Sequence, residues 1–331
     1  MAEYINIRGQ SIEVVTSDPA NPTVGQIWYN STSNTLKGGG VTTVGAWATG
    51  NNMNTARNLA SANSATQTTA LGFAGYRSPA ILYTATEEYN GTNWTTVNPM
   101  SVARFQLAGA GTQTAALGFG GYNGTNTNAT EEYDGTSWAA GGALSTAKRL
   151  LGGAGTLTAG LAFGGSVSPL VLQTVTEEYN GSTWAISPGS LNTARRNLGG
   201  GGVGTQTAAL CIGGQDAPGY TGATEEYDGT SWTISGSLNT ARRDLASAGI
   251  QTLALAFGGE NGSYLTTTEQ YDGSTWTNNP TGLNTARATS GGAGNTASAL
   301  AFGGDATPSQ TAATEEFTGP GELTTKTITV S

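Results

Sequence analysis

The chain has 331 residues, of which 51 are glycine and only 11% are charged, and it carries a net charge of −9 with no histidine and one cysteine. An acidic chain without a basic run argues against a nucleic-acid partner, because phosphate binding needs clustered Lys and Arg. The lack of histidine removes Ser-His-Asp and Cys-His catalysis and leaves few choices for a zinc or copper site. Glycine without a three-residue period points away from collagen and towards many short strands joined by tight turns. The N-terminus has no charged-then-apolar signal pattern, and no long apolar stretch could span a membrane, so neither secretion nor membrane insertion is expected.

Residues 1 to about 40 do not repeat. Tyr4–Ile7 and Ser11–Val15 read as short strands, and after the turn-rich Asp18–Pro22 the segments Gln26–Asn30 and Thr35–Lys37 should pair across Ser-Thr-Ser-Asn. Forty residues without a disulfide or a metal bury little core. The segment is therefore expected to dock, self-associate or attach to a larger assembly.

From residue 41 onward the chain repeats. Trp47, Trp94, Trp138, Trp184, Trp232 and Trp276 recur every 44 to 48 residues. Four markers recur in order. The first is Asn/Ser-Thr/Val-Ala-Arg/Lys, ending at Arg57, Arg104, Lys148, Arg195, Arg242 and Arg287. The second is an apolar run closed by glycine, as in Leu117–Gly121. The third is Thr-Glu-Glu-Tyr, drifting to Glu269-Gln270-Tyr271 and Glu315-Glu316-Phe317 in its last two copies. The fourth is the tryptophan. Asn-Gly or Asp-Gly between Tyr and Trp tolerates the positive φ of hairpin turns, so the Tyr strand should fold back into the Trp strand. The apolar run is short enough for a strand buried on both faces. Small-residue stretches such as Leu107–Gly111 suit a crowded inner strand. Each period thus supplies four antiparallel strands, one blade of an all-β, six-bladed β-propeller.

The ends predict how the sixth blade is completed. Trp47 precedes the first marker and no tryptophan follows Phe317, so an N-terminal strand over Val44–Thr49 is expected to complete it. The alternating C-terminal strand at about 323–330 is a rival. The expected division is an assembly segment, 1–40, and the propeller, 41–331.

On these residues, from about 44 to 317, the chain resembles the kelch repeat family, and the resemblance implies a β-propeller. Residues recurring in every blade are expected to build it: the marker Arg or Lys through an ion pair between blades, the Trp and Tyr through packing. Asp272-Gly-Ser-Thr-Trp276 is similar to the Asp-box of sialidases but lacks one residue between Asp and Gly, and no arginine triad with a Tyr–Glu pair is evident. Kelch-related galactose oxidase uses histidine ligands to copper, which this chain lacks. Adjacent carboxylates such as Glu87 and Glu88 should face opposite sides of a strand. No enzyme activity, cofactor or metal is expected, and Cys211 reads as a buried small hydrophobe.

Specificity on a repeated scaffold should lie where the repeats differ. The divergent segments follow Gly-Gly, and their candidate ligand-binding residues are Tyr76, Arg77, Tyr83, Tyr122, Tyr220 and Tyr264. Aromatics beside amides and hydroxyls suit stacking on sugar rings. Residues 18–37, together with repeats reading Asn-Thr-Ala-Arg and Gly-Thr-Gln-Thr-Ala-Ala-Leu, resemble structural proteins of marine tailed bacteriophages. That resemblance implies a virion location as a tail fibre, head fibre or decoration protein. Its partners would be other virion proteins or sister chains through residues 1–40, and a host-surface glycan or protein through the loop face. A kelch-type protein-interaction module is the alternative, and a carbohydrate-active enzyme a weaker one.

Overall fold

The computed structural model describes residues 12–19, 26–41, 44–62, 66–199, 203–217, 219–321 and 323–328. Among these residues there are strands and no helix, and accordingly none long and apolar enough to cross a membrane. The chain divides into two compact units, Met1–Gly45 with Thr318–Ser331, and Ala46–Phe317.

The smaller unit is one four-stranded sheet in the order Glu13–Val15, Ile27–Asn30, Thr35–Val41, Leu323–Thr327, with its first pairing parallel and the other two antiparallel. The Gln26–Lys37 hairpin forms as its spacing predicts. Fully buried Trp28 gives the sheet its core. Its indole donates to Asp18 Oδ1 at 3.1 Å, and Asp18 also receives Asn30 Nδ2 and Lys37 Nζ. These donors, Lys37 foremost, hold the Asp18 carboxyl down at about 2. The strand expected at Tyr4–Ile7 lies outside the described residues. The C-terminal strand, grouped with the repeats on its alternating pattern, instead pairs with Thr35–Val41, so both chain ends share this sheet.

The larger unit holds six repeat sheets. The second has its strands in sequence order, Ala108–Thr112, Ala115–Phe119, Thr130–Tyr133 and Trp138–Gly141, all antiparallel. The third to fifth follow the same order, and the first adds the short strand Ile81–Leu82. The sixth takes its outer strand, Ala46–Gly50, from the N-terminal side of the repeats, next to Thr314–Thr318. This all-β arrangement is consistent with a β-propeller-like fold. The apolar strands are buried along almost their whole length.

The core lies between sheets. Leu71 and Phe73 of the first sheet pack with Ala116, Tyr133 and Trp138 of the second, and similar clusters join each later neighbour. A sixth cluster sets Leu300 and Phe302 of the sixth sheet against Ala70, Tyr89 and Trp94 of the first. Each such tryptophan removes about 150–250 Å² from water.

At each hairpin only the glycine takes positive φ, as at Gly135 (87°). The Asp or Asn before it works through its side chain, Asp134 Oδ1 accepting the N–H groups of Thr136 and Ser137. Gly120 and Gly121 also have positive φ, and a Cβ on either would stand 2.8–2.9 Å from a backbone carbonyl, of Lys148 and Phe105 respectively. Glycine there lets the loop approach the chain entering the next sheet at Lys148 and the chain entering its own sheet at Phe105.

Candidate functional site

The four markers meet in one repeated set of contacts. In every repeat the marker cation is buried and forms an ion pair with the first Glu of its own sheet. The separations run from 2.5 to 3.2 Å for Arg57–Glu87, Arg104–Glu131, Lys148–Glu177, Arg195–Glu225 and Arg242–Glu269, and Arg287–Glu315 completes the set. The pair is thus within a sheet and not between blades as expected. The other oxygen of the same Glu accepts the N–H of the marker's first residue, from Asn54 to Asn284, at 2.5–2.7 Å. The carboxylate therefore clamps both ends of the four-residue connection entering its sheet. Burial pushes the pKa of Arg104, Lys148, Arg242 and Arg287 down, and the adjacent Glu opposes that shift.

Two other bonds cross between sheets. Each indole N–H reaches the Thr of the preceding sheet's Thr-Glu pair at 2.9–3.0 Å, Trp138 to Thr86 and so on, with Trp94 bonding Thr314 and Trp47 bonding Thr268. Each Tyr hydroxyl reaches the second Glu of the preceding sheet: Tyr133 to Glu88 at 2.8 Å, Tyr227 to Glu178 at 2.6 Å, and also Tyr179 to Glu132, Tyr271 to Glu226 and Tyr89 to Glu316. Burial and then the bonded carboxylate push these phenols up, to about 12 for Tyr227 and Tyr271. Gln270 and Phe317, which looked like drift, occupy the two ends of the sixth such position: where the hydroxyl is missing, so is the carboxylate. Cys211 is fully buried, and burial lifts its thiol to about 12.

The repeats differ at six backbone-bridged pairs on the loop side. In each, the residue after the marker cation meets the residue after the Gly-Gly position: Asn58–Tyr76, Phe105–Tyr122, Arg149–Ser166, Arg196–Gln215, Arg243–Glu260 and Ala288–Asp305. The following residue, Gln106, Leu150, Asn197, Asp244 or Thr289, takes positive φ without being glycine, a strained backbone costing about 1–3 kcal/mol each. Backbone bonds thread them, Leu150 N–H to Gln106, Asn197 to Leu150, Asp244 to Asn197 and Thr289 to Asp244, at 2.7–3.0 Å. In the first repeat this connection is one residue shorter, and the Asn58 amide reaches Asp305 at 3.2 Å instead.

The pairs form an aromatic stretch and a charged one. Tyr76 stacks on Phe105 with centroids 5.2 Å apart, Phe105 meets Tyr122 edge-on at 5.7 Å, and the Arg149 guanidinium lies 4.6 Å from the Tyr122 centroid. Arg243 bonds Glu260 at 3.2 Å and Gln215 at 2.8 Å, touches Asp244 at 3.3 Å and lies over Tyr220. Tyr220 donates to Glu260 at 3.4 Å, and exposed Tyr264 lines a cavity of about 390 Å³ with Glu260 and Thr307. Burial and the charges of Arg243 and Arg149 push Arg196 down. Burial, with Glu260 and Asp305 opposing ionisation, raises Asp244 to about 6.

Of the residues expected here, the structure therefore joins Tyr76 to Tyr122 and Tyr220 to Tyr264 through Glu260. It leaves two apart. Tyr83 sits 6.0 Å from the buried Arg57, and Arg77 is exposed at the end of strand Ala70–Arg77. Sequence reasoning missed Phe105, Arg149, Arg196, Arg243, Asp244 and Asp305. A usable signal was present: a second basic residue follows the marker cation at 149, 196 and 243 and nowhere else. Arg196 and Arg243 share the Gln215 side chain, Arg149 lies within electrostatic reach of Arg196, and the Tyr220–Glu260 contact adjoins Arg243, a grouping not evident from the sequence. Among the described residues no group of three or more Cys, Asp or Glu is placed to hold a metal ion. No protein-family model matches the chain, and comparison with curated proteins also gives no match.

Proposed function

We propose that the repeats close into a six-bladed propeller whose loop side is a binding surface for a host-cell ligand, and that the protein is a surface component of a virion. Support for closure is that the joints recur between the last and first sheets: Tyr89 with Glu316, Trp94 with Thr314, and the Gln67 amide with the carbonyls of Ala299 and Phe317, as Gln113 does with Ala70 and Tyr89. The virion assignment rests on the resemblance of residues 18–37 and of the repeats to phage structural proteins. Residues 1–40 would then serve assembly.

One observation carries the binding reading. Ion pair, indole bond and hydroxyl bond recur with little change around the repeats, whereas the six bridged pairs differ in every copy and gather aromatic, cationic and acidic side chains. Structural need does not account for that variety, and recognition does. Adhesion of the purified protein to host cells should fall at least tenfold when Tyr76, Tyr122 and Tyr264 are changed to Ala together. Unchanged adhesion with an unchanged melting temperature refutes the reading.

A second reading, a carbohydrate-active enzyme, is favoured by Asp244, whose carboxyl burial pushes up to about 6 near the Tyr220–Glu260 contact. Turnover on a glycan panel that disappears in Asp244→Asn would establish it; absence of turnover by the native protein rejects it.

A further inference from the structure

We propose that Arg149 and Arg196 bind the anionic group, carboxylate or sulfate, of an acidic sugar. The inference rests on the loop-side binding reading and names its ligand class. It follows from an imbalance among the three neighbouring arginines. Arg243 is compensated by Glu260 and Asp244. Among the described residues no carboxylate lies within salt-bridge distance of Arg149 or Arg196. Arg196 Nε and Nη2 share one neutral acceptor, Gln215 Oε1, at 3.4 and 3.3 Å, and Arg243 Nη1 already holds that oxygen at 2.8 Å. Arg149 Nε is buried without a hydrogen-bond partner, as is Arg243 Nε, so the missing carboxylate is what sets Arg149 apart.

Such a state is costly alone, since half-buried guanidinium groups repel one another and keep unmet donors. An anion bridging the two would relieve both, and the Asn197 N–H bond to the Leu150 carbonyl at 2.9 Å sets their backbones side by side. The planar guanidinium fork suits two-point bonding to a carboxylate or sulfate. The space is present on the Arg149 side: a cavity of about 600 Å³ opens beside Arg149, lined also by Tyr122, Thr125, Asn126 and Ser168, with Arg196 outside that lining. That is within the usual range for a small-molecule site, about 300–1,000 Å³. An aromatic ring, an amide and hydroxyls beside the cations fit a sugar better than a bare ion. The net charge of −9 opposes approach, but at physiological salt it is screened beyond about 8 Å, so the local arginines set the field in the cavity.

The test is calorimetric titration of the full chain with three probes sharing one neutral scaffold, 3′-sialyllactose, lactose 3′-sulfate and lactose, with host-cell adhesion measured in parallel. At least one acidic probe should bind about tenfold or more tighter than lactose, a difference of about 1.4 kcal/mol or more. The stronger acidic probe identifies carboxylate or sulfate as the group read. Arg196→Ala and Arg149→Ala should each weaken that binding about tenfold with the melting temperature not lowered, and Arg196→Lys should retain part of it. Equal binding of lactose, no binding of either acidic probe at millimolar concentration, or acidic-probe binding indifferent to both arginines overturns the proposal. Adhesion that survives Arg149→Ala and Arg196→Ala but is lost with the tyrosine variants overturns the anion site while leaving the loop-side reading intact. Adhesion missing in the native protein removes that reading and the anion site with it.

Discussion

The contacts between and within the repeat sheets and the six bridged pairs on the loop side make opposite use of the same repeat. At the clamp, Glu269 meets Arg242 and the Asn239 N–H just as Glu87 meets Arg57 and Asn54, and the variations are conservative: Lys for Arg at 148, and Ser for Asn at 101 and 145. A few residues along the chain, Asn58, Phe105, Arg149, Arg196, Arg243 and Ala288 share a backbone position, but arginine fills only three of the six and no two bridged pairs are alike. The difference teaches that the scaffold needs only the bridging backbone at those positions. Their side chains are free to vary, which is what the proposed binding role requires.

The contrast can be broken most forcefully at the clamp. Glu269→Ala should cost about 3–5 kcal/mol, because it strands a buried guanidinium and releases the Asn239 N–H; denaturant unfolding measures it. A change of similar size from Ser166→Ala or Gln215→Ala would erase the distinction between the two regions. High pH tests the hydroxyl bonds. A phenol whose folded pKa lies above its ordinary value of 10.0, as in Tyr227 and Tyr271 at about 12, leaves the unfolded chain to ionise first. Stability from these residues is therefore full below pH 10 and drains away as pH climbs towards 12. Absorbance titration should show this group of tyrosines ionising late and together with unfolding; ionisation near pH 10 in the folded protein contradicts the bonding. The smallest effect should come from repairing the one missing copy. Gln270→Glu with Phe317→Tyr should stabilise by roughly 1 kcal/mol, the about 1.5–3 kcal/mol of a hydrogen bond to a charged acceptor less the cost of desolvating the new carboxylate, whereas Gln270→Glu alone should destabilise by burying part of an unpaired charge. Equal effects of the single and double changes, read from unfolding midpoints, would mean the two positions do not meet.

Much of this architecture was legible in the sequence. Strand boundaries, the hairpin at each Asn/Asp-Gly and the placement of Ala46–Gly50 beside Thr314–Thr318 follow from periodicity and from the missing sixth Trp strand. What was hidden depends on which repeat touches which. Recurrence of Arg and Glu says that they pair but not whether within a sheet or across, so the ion pair was placed wrongly. Gln270 and Phe317 are a matched loss only once the tyrosine of one sheet is known to bond the glutamate before it. Alternation over 323–330 suits any open edge, and the edge it meets belongs to Thr35–Val41. At the candidate site, divergence after Gly-Gly marked Tyr76, Tyr122, Tyr220 and Tyr264. Arg149, Arg196 and Arg243 escaped because each adjoins a marker cation and reads as part of the motif, although the first cation of each doublet is buried in a salt bridge and the second faces the loops. Tyr83 and Arg77, equal candidates by sequence, differ from the rest only in where the chain sends them.

Closure of the six sheets determines which loops share a face, and the joint between the first and last sheets tests it most directly. A double-mutant cycle there, Tyr89→Phe with Glu316→Ala, can be set against the interior cycle Tyr133→Phe with Glu88→Ala. Closure predicts coupling at both joints, each about 1.5–3 kcal/mol for a bond to a charged acceptor and equal within about 0.5 kcal/mol. Coupling in the interior with none between Tyr89 and Glu316 would contradict it.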